Sequence, residues 1–428
     1  MYISIFMRRN NLMTPINKQL FWKLSSFLFF FQAAWAAAYS LFSLWLGETI
    51  GLNGPLIGTV FSINALFALA FKPVFGYFLD RLGYRKNVLW FISGATLLIA
   101  PFFIYVYRPL LSGTPIVGML VGGLFIGFAF SAGIAAIESY IEKCGRQFGF
   151  EYGKVRSFGS LGFAFAAFFA GKLFNIDPNL NFWTASIFAL ITIFMLLWIK
   201  IPDQIKEQLV IDKDPVKVKD VFSLLKLKKF WFFIIYVFGV ASIFFVMDQQ
   251  FPRFFVSLFP SEKQGNEFFG YLNSVQIFGE AFFMFTIPFV VNKIGAKRGL
   301  LLAGAIMGIR ILGTGFSTTI SEVVIWKLLH SIELPILLIS VFKYIAETFS
   351  QRLSSSMYLI GYQSINYIGV VIIGPIAGHL YETLGFPKTY MLMGTIVLIS
   401  TALAILTLNK TPGNKLEATI NSPIVVEK

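Results

Sequence analysis

The chain is poor in the residues that soluble chemistry depends on. Among 428 residues there are one cysteine, Cys144, two histidines and only 13% charged side chains. A single thiol excludes an intramolecular disulfide and any thiolate metal cluster. No Walker loop, no His-x-x-x-His zinc pattern and no nucleophile elbow with supporting context occurs, so ATP-driven transport and enzymatic catalysis have no basis in the sequence. No cofactor or metal is expected. Acidic residues are also scarce, 21 Asp and Glu against 35 Lys and Arg, for a net charge of +14. The basic residues are scattered between apolar runs and form no stripe interleaved with exposed aromatics, so nucleic acid is not the expected partner. No secretory signal peptide is visible. Arg8, Arg9, Lys18 and Lys23 precede the first apolar run, no small-residue cleavage site follows, and that run should stay in the mature protein.

What the chain has in abundance is hydrocarbon: 57% of its residues are hydrophobic and 18% aromatic, too greasy for a soluble protein of this length. Apolar stretches of about 20 residues, enough to cross a bilayer, fall at 24–46, 55–79, 88–107, 115–137, 157–175, 180–199, 230–256, 268–291, 299–317, 322–345, 355–378 and 388–408. An all-α membrane protein of twelve transmembrane helices is expected. Arg81, Arg85 and Lys86, then Lys143, Arg146 and Lys154, then Lys293, Lys297 and Arg298, and finally Arg352 all lie on one side with both termini. The opposite loops carry few basic residues, among them Arg108, Arg253 and Lys388. By the positive-inside rule both termini are cytoplasmic.

The long polar connection is charged throughout, from Asp203 to Lys229, and divides the chain into 1–200, a cytoplasmic linker at 201–229, and 230–428. A repeat supports six helices plus six. Gly76-Tyr-Phe-Leu-Asp80-Arg81-Leu-Gly83-Tyr-Arg85-Lys86 follows span two, and Pro288-Phe-Val-Val-Asn292-Lys293-Ile-Gly295-Ala-Lys297-Arg298 follows span eight, at an offset of 292 − 80 = 212 residues, close to half of 428. The first copy resembles the signature of the major facilitator superfamily, which implies two six-helix bundles around a central cavity. Its glycines would let helices approach closely, and Asp80 and the basic residues would pair at the cytoplasmic rim as part of a gate. Gly118-x-x-x-Gly122 and Gly123-x-x-x-Gly127 in span four read as packing seams.

A charged side chain at bilayer depth costs roughly 2.5–3.5 kcal/mol, so intramembrane ionisable groups need partners, a wet cavity or a task. Span ten carries three in Lys327-Leu-Leu-His330-Ser-Ile-Glu333-Leu-Pro335, whose three-residue spacing puts them on one broad helix face. Asp248-Gln249-Gln250 interrupts span seven, Glu280 sits mid-way in span eight and Arg310 mid-way in span nine. Asp248 with Lys327 would neutralise one pair, leaving Arg310, His330, Glu280 and Glu333 as a set in which one carboxyl could be protonated. A buried carboxyl resists ionisation and a guanidinium beside it favours ionisation, so a group poised between the two can load and release protons near neutral pH. A merely structural polar cluster is the alternative. In the first half, Glu138 ends span four and Arg156 opens span five. An arginine fork opposite a carboxylate suits a polyol, because hydroxyls both donate and accept; a salt bridge at the helix ends is the plainer reading. Phe163 lies seven residues on from Arg156, near the same face, where a ring could stack on a pyranose.

Along nearly its whole length the chain resembles the oligosaccharide:proton symporters of that superfamily, the lactose and sucrose permeases. The residues that carry the likeness include Ala-Phe-Phe-Ala-Gly within 166–171, Asp248-Gln-Gln-Phe, Phe269-Gly-Tyr-Leu, Ile306-Met-Gly-Ile-Arg310, the Lys327 to Pro335 run and Val341-Phe-Lys343-Tyr344. The resemblance implies sugar binding at Glu138 and Arg156, a proton carrier at Glu333 coupled and tuned by His330 and Arg310, and an interhelical charge pair of Asp248 with Lys327. It also shows departures. Phe163 stands where the lactose permease has tryptophan. A second lactose-permease charge pair is replaced by Phe245 and Asn366, both partners together, as the cost of one unpaired buried charge would require. The usual acidic place in span eight holds Ile277, with Glu280 one turn on. With Asn64 and Gln363 as further substrate contacts, these features look more like the sucrose permease.

The resulting expectation is an inner-membrane carrier of bacteria, functional as a monomer in the lipid bilayer, that alternates access to a disaccharide or small oligosaccharide and a proton, sucrose-like first, then raffinose, melibiose or lactose. Alternatives are a proton-coupled drug exporter of the same superfamily, a membrane sugar sensor, or a passive facilitator. His379 is expected at the interface, and Cys144 in a cytoplasmic loop without a role.

Overall fold

A polypeptide in hydrocarbon has to satisfy its backbone hydrogen bonds within itself, and a single apolar run can do so only as a helix. The computed structural model describes residues 15–82, 84–201, 224–349 and 357–409, and among these no strand occurs. Among the described residues eleven helices are long and apolar enough to span a bilayer, and a helix pair bent by 50° makes twelve when counted as one span. In chain order they are α1 Asn17–Thr49, α2 Gly54–Leu79, α3 Asn87–Leu97 with Ile99–Gly113, α4 Pro115–Phe148, α5 Tyr152–Ile176, α6 Pro178–Trp198, α7 Lys228–Ser257, α8 Glu262–Ile294, α9 Ala296–Phe316, α10 Ile320–Thr348, α11 Met357–Thr383 and α12 Gly385–Thr407. Most of the linker, Arg352, Gly83 and the side chain of Asp80 lie outside the described residues.

Several expectations change in detail. The helices overrun the apolar windows because their ends continue past the hydrocarbon: α4 reaches Phe148, so Glu138 is an interior position and Cys144 is a fully buried helix residue, not a loop residue. Asp248 does not interrupt α7. The helix runs unbroken over Ile243–Ser257, because Asp248 points its charge at partners on α10. The irregular turn comes earlier, as a π-helical segment at Val237–Ser242, and α4 and α11 carry others at Gly127–Ala132 and Met357–Ser364. Such wide turns rotate the residues that follow and are common beside functional sites. The seams in α4 do pack: a Cβ on Gly122 would strike the Tyr107 ring, and Gly127 lies against Phe67 and Ala68 of α2. His379 is exposed.

Lysines tie the helix ends nearest the termini. Lys86 donates to the carbonyls of Leu196 and Ile199 at 2.7 and 2.6 Å, closing the end of α6, and Lys297 does the same for α12 through Ile405 and Leu408 at 2.7 and 2.6 Å. Lys143 of α4 donates to Leu79 O at 3.2 Å and Lys343 of α10 to Val291 O at 3.5 Å, and these two carbonyls stand 291 − 79 = 212 residues apart. Lysines at helix C-termini complement the free carbonyls and the dipole. Thus the basic residues after α2 and α8 serve partly as helix caps. Arg81 bonds the Tyr77 hydroxyl at 3.2 Å.

At the end opposite the termini, the helices of the first six meet those of the last six backbone to backbone. A Cβ on Gly58 of α2 would collide with the carbonyl of Gly374 on α11, and one on Gly378 with the carbonyl of Gly54. Gly171 of α5 is pressed on the Asn266 carbonyl of α8 in the same way. Polar contacts reinforce this closure: Gly54 N donates to Glu382 Oε1 at 2.6 Å, Gln250 Nε2 to Gly54 O at 3.3 Å, and Asn266 Nδ2 to Asn175 Oδ1 at 3.1 Å. At the other end Gly76 and Gly153 have open space where a side chain would project, so Gly76 makes no close helix contact here.

Only glycine permits the first approach. Gly58→Trp is therefore expected to force α2 off α11 and open this end. With Gln250→Cys as reporter, in a background whose native Cys144 is buried, labelling by an impermeant maleimide from that face should rise about tenfold, the change that a 1.4 kcal/mol shift in population brings. Unchanged labelling would mean that the glycine contact does not hold the end shut.

Candidate functional site

Two groups of polar side chains lie in the body of the molecule. The first joins α4 and α5. α4 ends at Gly149, whose φ of 74° lies in the left-handed region, and the tight turn that follows brings Arg156 in the first part of α5 beside Glu138. Arg156 Nε and Glu138 Oε1 are 2.7 Å apart, and Arg156 Nη1 donates to Ser160 Oγ at 2.9 Å. Both charged side chains stay partly accessible, at 38% and 27%. The Tyr152 hydroxyl engages Glu138, and Glu280 of α8 is near enough for its charge to act on Arg156. A carboxylate, a guanidinium and a phenol held together but still wet offer donors and acceptors to a neutral polyol.

Phe163 is half-buried and meets Trp35 edge-on, centroids 6.2 Å apart. Asn64 is buried on α2, with Nδ2 3.4 Å from the Tyr39 hydroxyl. Gln363 faces a different neighbour, accepting from Lys72 Nζ of α2 at 2.9 Å. That ammonium also stands 4.0 Å from the centroid of the Tyr367 ring. Lys72 is not among the site residues expected from the sequence, although the rule that singles out Arg310, an ionisable group inside an apolar run, applies equally to it.

The second group lies wholly among the later helices. Arg310 of α9 and Glu333 of α10 form an ion pair at 2.6 Å, both side chains at 0% exposure. Arg310 Nη1 also reaches Met247 Sδ at 3.7 Å, and the guanidinium lies 5.3 Å from the Phe244 centroid. Lys327 and Asp248 pair at 2.9 Å, as their charges predict. His330 goes elsewhere than expected. Its Nδ1 is 3.2 Å from the second oxygen of Asp248, so it shares that carboxylate with Lys327 instead of standing with Arg310 and Glu333. The Phe244 ring lies between the sets, 4.7 Å from His330. Two cations thus face two carboxylates in direct contact. Beyond the Oε1 ion pair with Arg310, neither oxygen of Glu333 has a hydrogen-bond partner among the described residues. Ser242 Oγ donates to Asn366 Oδ1 at 3.4 Å, and Phe245 packs on the core. No group of metal-ligating side chains assembles among the described residues.

The chain matches the family described as LacY proton/sugar symporter over residues 13–421. It belongs to that family. Curated relatives agree: it is 43% identical to the raffinose permease of Escherichia coli over 398 residues, 92% of this chain and 93% of that one. It is 43% identical to the lactose permease of Klebsiella oxytoca, covering 87% and 91%, and 38% identical to the sucrose permease of Escherichia coli, covering 90% and 93%. Crystal structures of the nucleoside transporter NupG share the fold, with a TM-score of 0.77 at 17% identity over 93% of this chain and 100% of that chain. The family is one of multi-span membrane transporters, not of enzymes.

The Asp248–Lys327 contact makes a separate prediction. Removing one member of a buried pair costs roughly 3–5 kcal/mol, because the other charge stays behind, whereas removing both can be nearly neutral. Asp248→Asn should therefore lower thermal stability strongly, and Asp248→Asn with Lys327→Met should recover most of the loss in the same melting experiment. Equal stability of single and double variants would refute the pairing.

Proposed function

We propose that the protein is a proton-coupled symporter of a disaccharide or small oligosaccharide, working by alternating access in the bacterial cytoplasmic membrane, as a monomer with both termini in the cytoplasm. In this reading Glu138 and Arg156 hold the sugar, with Phe163, Asn64, Glu280 and Gln363 around it. Glu333 carries the proton, Arg310 and His330 tune and couple it, and Asp248 with Lys327 keeps the neighbouring helices neutral. Gly76, Asp80, Arg81, Gly83, Arg85 and Lys86 belong to the moving cytoplasmic rim. Residues 1–200 and 230–428 act as the two rocking halves, joined by the linker.

The observation that carries the reading is Glu333. It is fully buried and salt-bridged to Arg310 through one oxygen at 2.6 Å, while its other oxygen, equally buried, has no hydrogen-bond partner among the described residues. A carboxylate so placed can take a proton without losing its guanidinium, and a buried charge that comes and goes changes which packing of α9 and α10 is favoured. Coupling follows if sugar and proton each bind one conformation better, since a ligand of equal affinity shifts nothing.

The relatives named for raffinose, lactose, melibiose and sucrose stand at 43, 43, 42 and 38% identity, so likeness alone selects no sugar. Adding sucrose, raffinose, melibiose or lactose in turn to an unbuffered suspension of de-energised cells should make the medium alkaline for the transported sugar. Sugar entry with no pH change would mean a passive facilitator. Export of a lipophilic dye in its place would mean a drug carrier.

A further inference from the structure

Lys72 has no task in the reading so far. It sits in the interior of α2, in an apolar stretch, and among the described residues no carboxylate pairs with it. Keeping a lysine there costs energy that a leucine would not. Its ammonium has three donors. One goes to Gln363 Oε1 at 2.9 Å and the cation rests on the Tyr367 face at 4.0 Å, both partners belonging to α11. Lys72 is therefore a bridge between α2 and α11 made entirely of neutral acceptors. The patch lies near the first polar group, since Glu138 is close enough for its charge to act on both Lys72 and Tyr367.

We propose that Lys72, Gln363 and Tyr367 form a second sugar subsite, which holds the ring next to the one bound by Glu138 and Arg156 and so selects oligosaccharides over single sugars. The inference rests on the symport reading for the presence of a sugar. The chemistry suits a ring: Tyr367 offers an aromatic face, Gln363 an amide that donates and accepts, and Lys72 charge-assisted donors for hydroxyl oxygens. Without sugar the ammonium covers the aromatic face by cation–π attraction. A pyranose stacking there displaces it, and the freed N–H groups turn to the hydroxyls. A bridge to a carboxylate would resist that exchange, and Gln363 gives way more easily because it carries no charge.

The test is equilibrium binding to the full-length protein in detergent. The probes are sucrose, raffinose, melibiose and lactose, and, as single rings, methyl α-glucoside and methyl α-galactoside. For Lys72→Met, affinity for the oligosaccharide that wild type binds best should fall about tenfold, the effect of one charge-assisted hydrogen bond, while single-ring affinity changes less than about twofold. Lys72→Arg should restore part of the loss, and Lys72→Cys should react with a soluble maleimide more slowly when that oligosaccharide is present. Equal losses for both classes of sugar would overturn the subsite, as would no loss for either. Failure of the symport reading itself would show separately, as a wild-type protein that binds none of these sugars and takes up no protons with them.

Discussion

Glu333→Gln is expected to abolish sugar accumulation against a gradient while leaving the exchange of internal for external sugar intact. The amide keeps the shape of a protonated carboxyl and an oxygen for Arg310, which it meets at 2.6 Å in the native protein. It cannot lose a proton. Exchange needs only the loaded carrier to turn back and forth, whereas net uptake needs the proton to leave so that the empty carrier can return. At 100 mV the membrane potential supplies about 2.3 kcal/mol per charge, or roughly fifty-fold accumulation, and all of it should vanish. Exchange serves as the folding control, because an unfolded protein would lose both activities. The decisive measurement is labelled-sugar uptake and counterflow in the same vesicles. Accumulation that survives in Glu333→Gln would remove this residue from the proton path.

Much of this site was legible because hydrocarbon punishes charge. Every ionisable residue within an apolar run has to be explained, and Asp248, Glu280, Arg310, Lys327, His330 and Glu333 stood out for that reason alone. The pairings were less legible, because two cations among three carboxylates balance in several ways. Asp248 with Lys327 came from the family resemblance, and the position of His330 was not signalled, because its ring can join either pair and helix rotation decides. The π-helical turn at Val237–Ser242 precedes Asp248 and shifts which face of α7 it occupies, and no pattern of apolar residues signals it. Helix ends were misjudged for a related reason. Polar residues such as Glu142 and Arg146 end the hydrocarbon window but pair across one turn at 2.8 Å and let α4 continue. The closure through Gly58 and Gly374 was not legible either, since it joins residues more than 300 positions apart and each glycine alone resembles any small residue in a membrane helix.

Arg156→Lys should cost about a hundredfold in sugar affinity with little change in folding. The guanidinium now spends Nε on Glu138 at 2.7 Å and Nη1 on Ser160 at 2.9 Å, and its planar fork still has N–H groups to offer. An ammonium on a shorter reach cannot hold Glu138, Ser160 and a hydroxyl at once. Two hydrogen bonds to a charged group, at roughly 1.5 kcal/mol each, amount to about 3 kcal/mol, or two orders of magnitude. The same arithmetic explains why folding should be spared. The Arg156–Glu138 pair is 38% and 27% exposed, and pairs that wet contribute only about 0–1 kcal/mol to stability, unlike the sealed Arg310–Glu333 pair. Binding by equilibrium dialysis and melting by circular dichroism on the one variant separate the two quantities. A loss of affinity below about threefold would mean that the pair is a strut between α4 and α5, and that the sugar is held elsewhere.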